Sequence, residues 1–212
     1  MEVSVENVSI SFGDVHVLTD LSASFAPGRV TALVGPSGSG KSTLLAAIAG
    51  FLAPTRGRIV LRPVPGADGH EPRASLVGWV SQGANALGSR TVHDNVMLGA
   101  LGDGVGLSDA VRLADDALAQ VGLTHRARAA ARTLSGGELQ RTAFARALAS
   151  RRPLVLADEP TSSLDAVATG TIIDLLRGLR SEATVIVATH DPALIEAAQD
   201  RVDLRTGGPT HG

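Results

Sequence analysis

Cysteine and tyrosine are absent from the 212 residues, and aromatic residues make up only 2% of them. No disulfide or thiolate metal site can therefore form, and the lack of thiols fits a reducing compartment. With so few rings, the core has to be assembled from Ala, Val, Leu and Ile. Lysine is nearly missing as well: among 19 lysines and arginines, Lys41 alone is a lysine. No apolar run approaches the roughly 18 residues that a membrane-spanning helix needs, and the acidic N-terminal sequence does not read as a signal peptide. A net charge of −2 provides no basic excess, so nucleic acid is not an expected partner. The length suits one large domain or a core with an inserted subdomain.

The lone lysine falls in Gly35-Pro36-Ser37-Gly38-Ser39-Gly40-Lys41-Ser42-Thr43, which reads G-x-x-x-x-G-K-S, the phosphate-binding loop of P-loop NTPases. The apolar run 30–34 before it has the composition of a buried strand, and residues 44–49 after it read as a helix ending at Gly50. The glycines let backbone N–H groups turn toward phosphate oxygens, and the helix N-terminus adds partial positive charge. Lys41 would reach the β- and γ-phosphates, and the Ser42 hydroxyl would hold Mg²⁺. In a chain that otherwise uses arginine, a lysine here is informative. A compact ammonium packs under a phosphate loop where a broad guanidinium fork does not fit so readily.

Along the chain, residues 2–10 alternate apolar and polar as a half-buried strand does, and residues 15–25 continue β-rich to a turn at Pro27-Gly28. Pro54 and Gly57 bracket a turn into a strand at 58–61. Residues 63–72 are a Pro- and Gly-rich loop, and 76–81 is a strand leading to Gln82. From 91 to 150 the sequence is helical, broken by glycines at 102–106, with Ser108 a candidate cap for a helix running to about Gln120. Residues 153–157 return to a buried strand, 165–180 to a helix, 184–189 to a strand and 192–198 to a helix. This order predicts an α/β fold: a P-loop NTPase core with a mostly parallel sheet, an N-terminal antiparallel β-layer and an inserted helical subdomain. The core takes residues 1–82 and 151–206, the insertion 83–150, and 207–212 form a disordered tail.

Two further stretches carry chemistry. Leu154-Val155-Leu156-Ala157-Asp158 is an apolar strand ending in a carboxylate, with Glu159 directly after it. P-loop enzymes hold Mg²⁺ with such an aspartate, and an adjacent glutamate is placed to orient or deprotonate an attacking water. Two solvated acids at a strand end would look the same in isolation; the upstream loop favours the metal. Leu134-Ser135-Gly136-Gly137-Glu138 would arise by chance in well under about one chain in a thousand. Ser135 and the two glycines open a helix over 138–149 whose Leu139, Ala143, Ala147 and Leu148 form an apolar face. Its bare N–H groups suit a γ-phosphate, although an N-cap with a glycine turn is the blander alternative.

With these residues in hand, the chain resembles the ATP-binding subunit of ABC transporters across residues 12–190. The family's motifs occur in order: Walker A (35–43), a Q-loop (Gln82), the signature (134–138), Walker B (154–159), a D-loop (Ser163-Leu164-Asp165) and an H-loop (His190). The resemblance implies ATP and Mg²⁺ as cofactors, with catalytic roles for Glu159, His190, Lys41 and Gln82 and metal contacts from Ser42, Gln82 and Asp158. Residues 35–43, Phe12, Ser135, Gly136, Gly137, Glu138 and Asp165 would contact nucleotide. Phe12 would stack on adenine or else pack in the β-layer, and Asp165 would cross a dimer interface or cap a helix. His16, His70, His93, His125 and His211 match nothing and read as surface residues. Ser163 replaces the commoner alanine, and residues 126–133 are basic where many exporters are acidic and glycine-containing.

The resemblance also implies a head-to-tail homodimer, or a heterodimer with a second ABC ATPase subunit, in which one chain's Walker A loop and the other's signature sandwich each ATP. The reading is an ATPase, cytoplasmic and peripheral on the inner face of the cell membrane. It would energise transport through separately encoded integral membrane subunits, contacted through residues 82–96. A non-transport ABC ATPase, serving iron–sulphur assembly or cell-envelope regulation, stays open as the alternative. A chromosome or DNA-repair ATPase does not, because Lys41 and Ser135 are too close in sequence for long coiled coils between them.

Overall fold

The first residues build an antiparallel layer. Glu2–Phe12 (β1) pairs with Val15–Phe25 (β2) and, on its other edge, with Arg56–Arg62. Val3 and Val5 are buried, and so are Val8 and Ile10, so the inward set changes parity midway along β1. A register shift between Glu6 and Ser9 accounts for it, with Asn7 at φ 49°. A bulge of this kind inserts one residue and bends the strand. Gly57 lies against it at φ 76°, where a Cβ would stand 2.3 Å from the Asn7 carbonyl oxygen. That close approach explains why the strand takes in Gly57, which the sequence suggested was only the turn before it.

The chain then turns into a second sheet. Val30–Val34 is β3, Lys41–Ile48 is α1, Arg56–Arg62 is β4 and Val77–Val80 is β5. The helices Val92–Leu101 (α2), Leu107–Gln120 (α3) and Gly136–Ala149 (α4) follow. After them come Leu154–Asp158 (β6), Ala166–Gly178 (α5), Thr184–Ala188 (β7), Pro192–Ala197 (α6), Asp200–Asp203 (β8) and Gly208–Thr210 (β9). The sheet order is β5-β6-β7-β3-β8-β9, parallel throughout except for the antiparallel β8–β9 pair. The α2–α4 group thus lies, in sequence, between two strands that are neighbours in space. The computed structural model describes residues 1–83, 85–162, 164–179, 183–205 and 208–210; Ser163, Arg180, Gly207, His211 and Gly212, all named in the sequence reading, lie outside the described residues.

β3, β6 and β7 are buried along their whole length, as parallel strands covered on both faces must be. Their alternation divides the core. Leu154, Leu156, Ile186 and Ala188 share one cluster with Leu44, Leu45 and Ile48 of α1 and the antiparallel layer. Val155, Ala157, Val185 and Val187 share the other with Val96, Phe144 and Ile172 from the helices. α2 and α4 approach closely enough that a Cβ on Gly99 would stand 2.1 Å from the Arg146 carbonyl oxygen.

One expectation is corrected, and one strand pair is new. Ser108 does not cap α3: the helix starts at Leu107 with Gly106 at the cap, making no side-chain cap bond, so Ser108 lies inside the first turn. Residues 200–203 form a strand that the sequence reading left unassigned. Gly208–Thr210 pair with it as β9.

Candidate active site

The loops at the carboxyl ends of β3, β5, β6 and β7 converge on one cleft of about 520 Å³. Residues 35–43 line it together with Val17, Gln82, Asp158, Glu159 and His190. Clefts at the carboxyl ends of parallel strands are where α/β sheets bind ligands. The loop residues reach it through a tight turn: Gly40, the N-cap of α1, sits at φ 91° with no side chain to obstruct Leu18, whose Cδ2 a Cβ would approach to 2.7 Å. The helix therefore begins at Lys41, three residues earlier than the apolar run indicates. Lys41 is 9% exposed, and its Nζ donates to the carbonyls of Gly35 (2.8 Å) and Pro36 (3.1 Å).

On the opposite wall, Asp158 is the last residue of β6, with its Oδ1 buried and without a hydrogen-bond partner. A buried carboxylate oxygen left this way is costly unless a cation or donor meets it. Its neighbours in the cleft, the Ser42 hydroxyl and the Gln82 amide, are oxygen donors suited to a hard cation. Among the described residues no group of three or more His, Cys, Asp or Glu could hold a metal unaided. The orphaned Asp158 Oδ1 beside the phosphate loop fits an ion held by one carboxylate and completed by phosphate oxygens, the usual arrangement for Mg²⁺.

Glu159 turns out of the strand at φ 44°, a left-handed conformation that costs a glutamate on the order of 1–3 kcal/mol and collects at functional sites. Its N–H donates to the Ala188 carbonyl (2.9 Å), which ties it to the end of β7. There its Oε2 lies 2.9 Å from His190 Nδ1. Two carboxylates of different surroundings and one imidazole thus face the phosphate loop.

Residues that the sequence did not single out hold this arrangement. Asp191 caps α6 with one carboxylate oxygen, donated to by Ala193 N–H (2.9 Å), and accepts the Thr161 hydroxyl with the other (2.9 Å). It thereby links the turn after Glu159 to the residue after His190. Gln140, 2% exposed on α4, donates to the Ser81 carbonyl (3.3 Å) beside Gln82. Val17 was also missed; its only signal is the apolar alternation of β2.

The remaining candidates stand apart from this cleft. Ser135 caps α4 in a reciprocal box: its hydroxyl accepts from Glu138 N–H (3.3 Å), and its own N–H donates to Glu138 Oε2 (2.8 Å). Gly136 and Gly137 follow in the first turn. Asp165 caps α5, accepting from Ala168 N–H at 2.8 Å. Phe12, 57% exposed at the end of β1, is not packed into the β-layer and does not line the cleft. His93 departs from the surface reading, being half-buried with Nε2 3.2 Å from Asp115.

Comparison with known proteins accords with this geometry. Residues 18–162 match the family model described as ABC transporter. The chain is 33% identical over 220 residues to the ABC transporter ATP-binding protein YtrE of Bacillus subtilis, covering 97% of this chain and 95% of that protein. It is 36% identical over 206 residues to the lipoprotein-releasing system ATP-binding protein LolD 1 of Rhodopirellula baltica, covering 91% and 87%. In structure it is similar to the dimeric cassette MJ0796 in a post-hydrolysis state bound to ADP and Pi, with a TM-score of 0.85 at 28% identity, covering 99% of this chain and 97% of that one. The chain belongs to the ABC transporter family as an ATP-binding ATPase cassette.

Proposed function

We propose that two ATPase cassettes, this chain and a second copy or a paralogue, hydrolyse Mg²⁺–ATP head to tail and energise transport through separately encoded membrane-spanning partners. One observation carries the reading: the phosphate loop, Gln82, Asp158, Glu159 and His190 share a cleft from which the Ser135–Glu138 turn of the same chain is separate. A second chain's signature turn can complete that half-site, and the similar cassette MJ0796 is dimeric.

In this mechanism the loop N–H groups and Lys41 bind the phosphates, and Phe12 stacks on the adenine. Asp158, Ser42 and Gln82 would hold Mg²⁺, which would supply positive charge to offset that on the transferring phosphoryl group. Glu159 orients a water and accepts its proton as oxygen attacks the γ-phosphorus and the bond to the β-phosphate breaks. His190, positioned by Asp191, contacts the γ-phosphate and keeps Glu159 aligned. Asp165 approaches the neighbouring chain. ATP closes the dimer because its γ-phosphate draws N–H donors from both chains, and hydrolysis removes that bridge. Closure is passed to the membrane partner through residues 82–96, where Leu87 is 52% exposed; Leu98, further along α2, is 41% exposed. Among the described residues no helix is long and apolar enough to cross a membrane, and the chain works at the inner face of one.

The test is Glu159→Gln, which keeps the side-chain shape and removes the base. With ATP and Mg²⁺ this variant is expected to sediment as a dimer retaining unhydrolysed ATP, while without nucleotide it stays monomeric. A variant that remains monomeric with ATP and Mg²⁺ overturns the sandwich. Co-purification addresses the partner: a protein with membrane spans supports transport, and a partner without them supports iron–sulphur assembly or envelope regulation instead.

A further inference from the structure

The signature of this chain ends in a glutamate, and that poses an electrostatic problem. Under the head-to-tail reading, on which this inference rests, Ser135, Gly136 and Gly137 meet the γ-phosphate bound by the other chain. An ionised carboxylate in the same helical turn would repel that phosphate unless its charge were turned away and paired. The structure does both. Glu138 folds back on its own cap, with Oε2 accepting the Ser135 N–H at 2.8 Å. Its Oε1 lies 3.0 Å from Arg126 Nε, in an ion pair whose side chains are 31% and 19% exposed. Arg126 is anchored in turn, its Nη2 donating to the Thr133 carbonyl at 3.2 Å immediately before the signature. The Ser135 N–H bond holds the Glu138 carboxyl below the usual carboxylate range, with the charges of Arg126 and Arg141 adding to it, so it is ionised near neutral pH.

We propose that Arg126 is a positioning residue of the signature, pairing with Glu138 so that the carboxylate is withheld from the γ-phosphate of the neighbouring chain. This gives the basic 126–133 segment a purpose that the motifs alone do not supply. Arg126 touches no reacting atom. It acts through Glu138 on the turn that Ser135 caps, and it does so from eight residues upstream of the signature leucine. The pairing is also specific: a neutral amide at position 138 would make the same bond to the Ser135 N–H through its carbonyl oxygen, yet would need no cation beside it.

The experiment is a coupled pair of substitutions read by ATP-driven association. In the full-length Glu159→Gln chain with ATP and Mg²⁺, Arg126→Ala is expected to weaken dimerisation about fivefold, as loss of a partly exposed ion pair would. Binding of a fluorescent nucleotide to the monomer is expected to stay unchanged. Raising the salt concentration should recover part of the loss, because it screens the unmasked repulsion. When Glu138→Gln is also present, adding Arg126→Ala should change association less than about twofold. A purely structural role through Thr133 would give the same loss with and without Glu138→Gln, and that result overturns the proposal. So does undiminished dimerisation by Arg126→Ala while the parent still dimerises, which leaves the sandwich reading intact. A parent that never dimerises overturns both.

Discussion

Lys41 has three N–H donors and directs two of them to the carbonyls of Gly35 and Pro36, leaving one for a phosphate oxygen. The same bonds fix the curvature of the loop, so charge alone does not describe the residue. A guanidinium in its place would keep the charge and lose the geometry. Lys41→Arg is therefore expected to lower kcat/KM for ATP by at least about 100-fold, the scale seen when one donor to a developing oxyanion is removed, while the thermal midpoint stays near that of the parent. Steady-state ATPase assays decide it, and turnover within about threefold of the parent would remove Lys41 from the mechanism. At this scale the sequence was readable wherever the chemistry prescribes residue type and spacing: residues 35–43, Asp158, Glu159, Gln82 and His190 all reach one cleft. Gln140 and Asp191 were not readable. The partner of Gln140 is Ser81 and that of Asp191 is Thr161, contacts that exist only after folding. In the sequence a helical glutamine and an aspartate before a proline look like ordinary surface and capping residues.

Elements were legible in proportion to how apolar they are. β3, β6 and β7 announce themselves as buried runs, whereas β8 reads Asp200-Arg201-Val202-Asp203, with a single apolar residue. It lies beside β3 in a parallel ladder running from Thr31–Asp200 to Val34–Asp203, and its polar side chains find partners that periodicity does not register. Asp200 takes Arg29 as partner (Nη2 to Oδ1, 2.9 Å), and Asp203, 7% exposed at its side chain, takes Arg205 (Nη2 to Oδ2, 2.7 Å). The Arg205 side chain and then its backbone N–H pull Asp203 down to about 2 from an ordinary 3.8. Because the folded value is the lower one, this stabilisation is present above pH 3.8 and is lost as the pH falls toward 2. Arg205 is itself mostly exposed, so the contribution is about 1 kcal/mol. Asp203→Asn is expected to lower the melting temperature by about 2–4 °C at pH 7, with the gap to the parent closing by about half near pH 3. Melting curves of both proteins at the two pH values check this; a gap that holds constant on acidification excludes the ionised pair as its source.

At the scale of the whole molecule, the sequence could pair two half-sites in principle, but it could not say how the segment proposed to meet a membrane partner is carried. The structure ties that segment to the helices. Asn95, fully buried on α2, accepts the Leu87 N–H at 2.6 Å and donates to the carbonyls of Leu87 (3.1 Å) and Thr91 (2.8 Å). From α4, Arg146 donates to the Asn85 carbonyl at 2.7 Å, and burial lowers its pKa from the usual arginine value. Gln82, by contrast, faces the nucleotide cleft. The stretch from Gln82 to Val96 therefore starts at the phosphate end and is braced against α2 and α4 further along, an arrangement suited to moving with the helices when the cleft closes. Asn95→Ala would leave the Leu87 N–H without its partner, a cost of about 1–3 kcal/mol borne locally, while the Leu87 carbonyl keeps the Arg90 N–H at 3.0 Å. The expected outcome is faster amide exchange across residues 85–90 and weaker retention of a membrane partner on co-purification. ATP-driven dimerisation in the Glu159→Gln background should persist, because no residue of the cleft depends on Asn95. Unchanged exchange at 85–90 would show that the brace is not Asn95, and loss of dimerisation would mean that this segment is part of the nucleotide site rather than its link to the membrane.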